Sequence, residues 1–201
     1  MNLELSPLTV KMATPVLKAY ARALLPGVTP LSCLVRDGRF TLASGVRNLH
    51  SVALLRMLHD LDISLETVRY HEKDERVDEL PTTYCKNLFL KDRKGVFYLV
   101  IYKEESTLDL KVLKKQVKAY RNFSFANNRD LKNIMKVNFV TPFSLLYQST
   151  KDVKIVLAKS LLQEGSLNFH PLDGRFTTRL SFGSLERFMK VIGREFILID
   201  L

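Results

Sequence analysis

The side chains most able to do chemistry in this chain are few, and their spacing excludes most of what they could do. His50, His59, His71 and His170 form no pair with the spacing of a zinc-binding helix or knuckle, so no metal ligand set is expected. Cys33 and Cys85 belong to no Cys-x-x-Cys pair and are too few for a disulfide framework, which points to a reducing, cytoplasmic setting. None of the eight glycines falls in a phosphate-cradling loop, so no nucleotide cofactor is expected, nor any other. Covalent catalysis would have to join Cys85 to His170, each at the end of an apolar strand. No carboxylate is placed to orient such a histidine, and a cysteine opening a strand reads as a small hydrophobe.

Three polar interruptions of apolar segments remain. Lys86-Asn87 opens the run Cys85–Leu90, where alternation turns one of the two inward. Thr141-Pro142 interrupts Phe139–Phe143. His170-Pro171 ends the strand Leu167–Phe169. Each alone reads as a strand terminus with polar punctuation.

The elements that must position these residues alternate irregularly. Thr14-Pro15 reads as a cap and first turn of a helix that Pro26-Gly27 stops near Leu25. Asp37-Gly38 marks a hairpin between 31–36 and 40–43. Leu49, Val52, Leu55 and Leu58 recur at helical spacing over about 47–61, followed by a strand at 64–70 and an acidic loop at 71–79. Runs 87–90 and 96–102 flank a charged turn and form a hairpin. Leu110, Leu113, Val117 and Tyr120 mark one helical face, with lysines and arginine on the others. A helix over 129–135 capped by Asn128 follows, then strands at 137–140, 153–158 and 167–169, a helix at 184–191 and a strand at 196–199. The repeat of Asp-Gly-Arg-Phe-Thr at 37–41 and 173–177 reads as shared turn-then-strand chemistry rather than duplication. The pattern is α+β: a mixed, largely antiparallel sheet flanked by helices.

With 201 residues, 46% hydrophobic and 26% charged, the chain can bury a real core, which excludes disorder. No apolar run approaches the roughly 18–20 residues of a membrane helix, and no signal peptide is read at the N-terminus. The net charge of +10 is uneven: +4 over residues 1–50, −4 over 51–85 and +10 over 86–201. A polyanionic partner approached from the C-terminal part fits that asymmetry.

Taken in order, the motifs carry a resemblance. The run Lys86-Asn87-Leu88-Phe89-Leu90-Lys91-Asp92, then Lys94-Gly95 and 97–100, Phe125-Ala126, Val140-Thr141-Pro142-Phe143, 153–162, Phe169-His170-Pro171-Leu172 with Thr177-Thr178, and Ile199-Asp200-Leu201 resemble the YbaK-type prolyl-tRNA editing domains. The resemblance covers about 47–201 and leaves 1–46 as an N-terminal extension of helix plus hairpin. It implies hydrolysis of the ester of mischarged tRNA, most of all Ala-tRNA(Pro), without metal or covalent intermediate. Lys86 takes the catalytic position, and Asn87, Asn138, Val140, Thr141, Pro142, His170 and Gly174 enclose the aminoacyl group. Lys111, Lys114, Lys115, Lys118 and Arg121 then face acceptor-stem phosphates. Prolyl-tRNA synthetase, or a multi-synthetase assembly, is the implied protein partner, with no membrane association. This chain departs from the pattern where Asn138 and Phe139 replace the opening of a Gly-x-x-x-Pro loop, and where Asp173-Gly174-Arg175-Phe176 replaces a small segment containing asparagine. Arg175 and Phe176 are expected to shrink or reshape the pocket. The alternative is a catalytically degenerate module of the same fold that binds tRNA or docks a synthetase, its pocket filled by Phe139 or Phe176.

Overall fold

One nine-residue strand organises the molecule. The computed structural model describes residues 49–61, 63, 66–69 and 83–201. The expected helix from Thr14, the hairpin around Asp37-Gly38, the acidic loop 71–79 and the boundary at residue 46 lie outside them. Among the described residues the elements run α1 (Leu49–Asp60), β1 (Glu66–Arg69), β2 (Thr83–Lys91), β3 (Phe97–Lys103), α2 (Leu110–Gln116), β4 (Ser124–Phe125), α3 (Asn128–Ile134), β5 (Lys154–Ala158), β6 (Leu167–Phe169), β7 (Phe176–Leu180), α4 (Phe182–Val191) and β8 (Phe196–Ile199). Short 3-10 helices occupy Pro142–Leu146, Gln148–Thr150 and Lys159–Gln163.

The strands form one mixed sheet in the order β1-β7-β6-β2-β3-β5-β8, with β4 also on β2. The β1/β7, β2/β3, β2/β4 and β6/β7 ladders are antiparallel, and the β2/β6, β3/β5 and β5/β8 ladders are parallel. β2 changes partner along its length. Thr83 and Tyr84 pair with β6, residues 85–91 pair with β3, and Leu90 and Lys91 also pair with β4. The two ends of this strand therefore serve different surroundings.

The core sits on the central strands. Tyr98–Tyr102 and Ile155–Ala158 are buried without alternation, as expected of strands covered on both faces. Val52, Leu54, Leu55, Met57 and Leu58 of α1 and Leu185, Phe188 and Met189 of α4 join this cluster or border it, each worth roughly 1.5–3 kcal/mol of burial. Phe143 stands edge-on to both Phe169 of β6 and Phe188 of α4, which fixes the 3-10 turn against the sheet. His50 Nδ1 meets the Tyr147 hydroxyl at 2.7 Å and ties α1 to the segment beyond that turn.

Asp92, last residue of the motif that opens at Lys86, knots the far end of β2. Its Oδ1 accepts from the amides of Lys94 (2.9 Å) and Val96 (3.0 Å), and its Oδ2 from the Tyr120 amide (3.2 Å) and the Tyr98 hydroxyl (3.4 Å). One carboxylate thus fastens the β2–β3 turn to the chain leaving α2.

Several expectations are corrected. Asn127, not Asn128, caps α3, its side chain accepting from the Asp130 amide at 2.8 Å. α4 begins at Phe182, because Ser181 is its cap. Residues 137–140 form no strand, since Lys136 reverses the chain at φ 61° and every β ladder is complete without this segment. β4 and the 3-10 helices carry no periodic signal and were not expected. Tyr120 lies beyond α2 rather than on its buried face: the helix stops at Gln116, and Tyr120 is 43% exposed.

The stop is a Schellman turn with an unfavourable residue in it. The Ala119 amide reaches Lys114 O (3.0 Å), the Lys118 amide reaches Lys115 O (3.3 Å), and Lys118 sits at φ 51°. Glycine is the usual occupant because a Cβ is strained there. Lys118→Gly should therefore stabilise the fold by about 0.5–1 kcal/mol, raising the thermal midpoint by about 1–4 °C. A midpoint that falls would contradict this account of the turn.

Candidate functional site

The N-terminal half of β2 borders a cavity of about 130 Å³ lined by Tyr84, Cys85, Asn87, Glu104, Asn168, Phe169, His170 and Thr177. Its position follows from the sheet. β6 leaves β2 after pairing with Thr83 and Tyr84, and β4 rejoins only at Leu90, so the strand edge between them is free to border a space.

Asn87 contributes its amide to this space. Its Nδ2 donates to Cys85 O at 3.5 Å, which fixes the amide orientation, and its Oδ1 is buried with no hydrogen-bond partner. A buried acceptor left unpaired costs about 1–3 kcal/mol. His170 enters from β6. Its Nδ1 lies 2.7 Å from Phe176 O, and a carbonyl can only accept, so Nδ1 carries the proton. Thr141 Oγ1 donates to His170 O at 2.8 Å, and the Phe139 ring meets the imidazole edge-on at 5.4 Å. Leu172, 2% exposed, is held at φ 60° with its amide 3.0 Å from His170 O. A bulky residue in that region is strained, and here the strain lies in the loop that sets His170.

Of the expected pocket residues, the structure thus brings Asn87 and His170 to one cavity and attaches Thr141 to the backbone of His170. Pro142 is buried as the first residue of the 3-10 turn, and Val140 is half-buried against the core. Asn138 and Gly174 are exposed. A methyl group at Gly174 would meet the Phe139 ring at 3.6 Å, an ordinary contact. None of these four lines the cavity. Lys86 is exposed, paired in register with Tyr102 on β3, and does not line the cavity either. Its neighbours Cys85 and Asn87 both do, and along a strand successive side chains turn to opposite faces.

The expected obstructions lie elsewhere. Arg175 is folded onto Asp173, with Nε to Oδ1 at 3.0 Å and a terminal nitrogen to Oδ2 at 2.7 Å, and its side chain is 63% exposed. That pairing, with help from the Arg175 amide, holds the Asp173 carboxyl below its ordinary range. Phe176 is buried at the start of β7. Neither lines the cavity.

Cys85 and His170 do share it, but burial pushes the thiol up to about 12, so no thiolate forms near neutral pH. Across the strand, Glu164 is bound by Lys103 and by the Thr83 hydroxyl, and those partners hold its carboxyl below the usual range.

The sequence reading did not single out Tyr84, Glu104 or Asn168, and named Thr177 only as part of the resemblance. Asn168 left a signal: it is a polar residue between Leu167 and Phe169 in a buried three-residue strand. Its register partner across the parallel ladder is Tyr84, which places it at the cavity.

The basic candidates sit apart. Lys111, Lys115, Lys118 and Arg121 are exposed and Lys114 is half-buried, and none of the five joins an ion pair among the described residues. α2 starts beyond Glu104 at the cavity end, and the chain leaving it reaches Asp92 at the opposite end of β2. The positive charge therefore runs alongside the strand instead of into the cavity.

Comparison with known proteins gives the family. Residues 69–188, more than half of the chain, match the aminoacyl-tRNA editing domain. The chain is 32% identical over 158 residues to the prolyl-tRNA editing protein ProX of Acetoanaerobium sticklandii, covering 74% of this chain and 96% of that protein. It is 30% identical over 160 residues to the prolyl-tRNA synthetase associated domain-containing protein 1 of Bos taurus, covering 74% and 93%. The solved structure of a proposed trans-editing enzyme for prolyl-tRNA synthetase superposes with a TM-score of 0.52 at 17% identity, over 68% of this chain and 85% of that one, a likeness of fold. By sequence and by fold, the chain belongs to the aminoacyl-tRNA editing domain family.

Proposed function

We propose that this chain hydrolyses the ester of mischarged aminoacyl-tRNA, with Ala-tRNA(Pro) as its main substrate. The observation that carries the reading is the cavity at the start of β2, which Asn87 and His170 both line. At about 130 Å³ it is close to the ~150 Å³ of a protein cavity that takes one benzene ring, which is room for a small aminoacyl group. A synthetase pocket shaped for proline rejects a smaller apolar amino acid by only about 1–3 kcal/mol per methylene, which is why a second, smaller sieve is useful.

In this mechanism Asn87 forms part of the wall that holds the aminoacyl group in the cavity. His170, fixed through Nδ1, presents its other ring nitrogen as part of the wall. Water attacks the aminoacyl carbonyl carbon, and the negative charge that develops on the carbonyl oxygen is stabilised by the Lys86 ammonium at the rim. The bond from that carbon to the terminal ribose oxygen breaks, the ribose oxygen takes a proton, and the free amino acid leaves. No step involves a protein nucleophile, consistent with the protonated state of Cys85.

The acceptor end of tRNA, that of tRNA(Pro) first, is the proposed partner, with Lys111, Lys114, Lys115, Lys118 and Arg121 beside its phosphates. Residues 1–46 are the proposed extension to the editing domain at 47–201 and the proposed contact to a synthetase or multi-synthetase assembly. The degenerate-module alternative drew on Phe139 and Phe176 as plugs, and neither lines the cavity.

The test is deacylation of a panel of aminoacyl-tRNAs. Alanyl and similarly small esters should turn over, and phenylalanyl esters should not. Asn168→Leu, which places a larger apolar group in the cavity wall, should lower kcat/KM for Ala-tRNA(Pro) by at least 10-fold while leaving tRNA binding unchanged. Turnover of large and small esters at equal rates would remove this cavity from the reaction.

A further inference from the structure

The end of β2 remote from the cavity carries a second feature. Phe125 is 66% exposed and Tyr120 is 43% exposed, and both are held by backbone bonds to the β2 end. Phe125 stands opposite Leu90 in the β2/β4 ladder, and the Ala126 amide reaches Phe89 O at 2.9 Å. The Tyr120 amide donates to Asp92 Oδ2, and the Arg93 amide donates to Tyr120 O at 3.2 Å. Cations sit by the Tyr120 ring. The Lys94 ammonium lies 4.5 Å and the Arg121 guanidinium 5.5 Å from the Tyr120 ring centroid, and Arg93 and Lys118 are exposed nearby in sequence. The two acidic groups of this region are already engaged: Asp92 is buried in its four hydrogen bonds, and Asp130 pairs with Lys91 at 3.7 Å.

Rings anchored in water beside uncompensated positive charge suit a polyanion that also offers flat apolar faces, and unpaired nucleotides are that ligand. A duplex keeps its bases stacked internally and would leave both rings unused. The separation is informative as well. From Asn87 at the cavity to Leu90 and Asp92 is three to five residues of strand, about 10–17 Å. Stacked nucleotides advance about 3.4 Å each, so this is the length of a short single-stranded end.

We propose that Tyr120 and Phe125, with Arg93, Lys94, Lys118 and Arg121, are a stacking platform for the unpaired bases of the tRNA 3′ end, upstream of the terminal adenosine whose ester reaches the cavity. This rests on the editing function proposed above and adds a base-recognition surface to it.

The experiment uses the full chain and an uncharged acceptor-stem RNA hairpin carrying the unpaired 3′ end, with 2-aminopurine in place of one unpaired base. Stacking on an aromatic ring quenches its fluorescence, so binding to the wild-type chain should be accompanied by quenching. Tyr120→Leu and Phe125→Leu keep the apolar bulk and remove the aromatic face. Each should weaken binding by about 5- to 150-fold and reduce the quench, with the salt dependence of binding unchanged. Lys94→Gln and Arg121→Gln should instead flatten that salt dependence by about 0.7 each in the log–log slope. Wild-type affinity and quenching in the Tyr120→Leu, Phe125→Leu double variant, or no binding of the hairpin by the wild-type chain, would overturn the platform. The readout is independent of catalysis. Binding and quenching without turnover of any ester would sink the hydrolase reading and keep the platform. Turnover of Ala-tRNA(Pro) with unchanged KM in the double variant would do the reverse.

Discussion

Lys86→Ala is expected to lower kcat for hydrolysis of Ala-tRNA(Pro) by about 10²–10³-fold, the usual cost of removing one group that stabilises a developing oxyanion. The thermal midpoint should stay within about 1–2 °C of wild type, because an exposed strand residue removed without disturbing the core changes stability by no more than about 0.5 kcal/mol. The prediction depends on place rather than on packing. Lys86 is exposed and is flanked in sequence by two cavity-lining residues, and its long side chain is proposed to reach the ester from solvent. Lys86→Arg keeps the charge but replaces a compact ammonium with a broad planar group, and should recover only part of the rate. The split between kinetic constants matters. A loss carried by kcat assigns the ammonium to the transition state, whereas a loss carried by KM alone assigns it to a phosphate of the substrate. Activity within threefold of wild type would leave Lys86 no role.

The largest stability effect is expected at Asp92, five residues along the same strand from Asn87. Asp92→Ala removes the acceptor for three backbone amides and one buried tyrosine hydroxyl at a site only 5% exposed. Each stranded buried donor costs about 1–3 kcal/mol, and the four are not independent, so a total of about 3–5 kcal/mol is expected. For a domain of this size that is a fall of about 6–20 °C in the thermal midpoint. Asp92→Asn keeps one acceptor oxygen and should cost less. The pH dependence has a definite sign. Burial by itself raises the Asp92 pKa, but the hydrogen bonds from Val96, Tyr120, Lys94 and Tyr98 outweigh it, and the net shift is downward. A carboxyl depressed in the folded state adds stability above its unfolded value near pH 4, and that stability is lost as pH falls through the folded value. Glu164 and Asp173 are depressed as well, so wild type should lose stability progressively below about pH 4. Asp92→Asn should be less stable at pH 7 and show a shallower loss on acidification. Parallel denaturation curves for the two proteins from pH 7 to pH 3 would show the carboxylate not to be the knot.

These two results would separate roles that one sequence motif joins. Lys86 and Asp92 bracket the same seven-residue run, yet the first is in solvent beside a cavity and the second is buried at the opposite end of the strand.

The amino-acid sequence by itself determined the local elements and the family. Period and turn chemistry set α1, the β2–β3 hairpin, β5, β6 and β8, because a helical stripe or a short apolar run bounded by turn residues depends on neighbours within a few positions. The ordered motifs from Lys86 to Leu201 determined the relationship to the editing domains, since side-chain identity in order survives without coordinates. The missed details were those where local signals compete. Asn127 and Asn128 are both good caps, and only hydrogen-bond geometry chose the first. Val137, Phe139 and Val140 have strand composition, but a strand needs a neighbour, and the sheet was complete without them. What only the tertiary structure decided is the site. That Asn168 and Thr177 line one cavity with Asn87 from three strands, and that Tyr120 and Phe125 remain in water, are long-range outcomes, whereas Arg175 folds onto Asp173 only two residues away. The long-range outcomes follow from where β2 changes partner, to β4 about 35 positions away and to β6 84 positions away, beyond the reach of any local pattern.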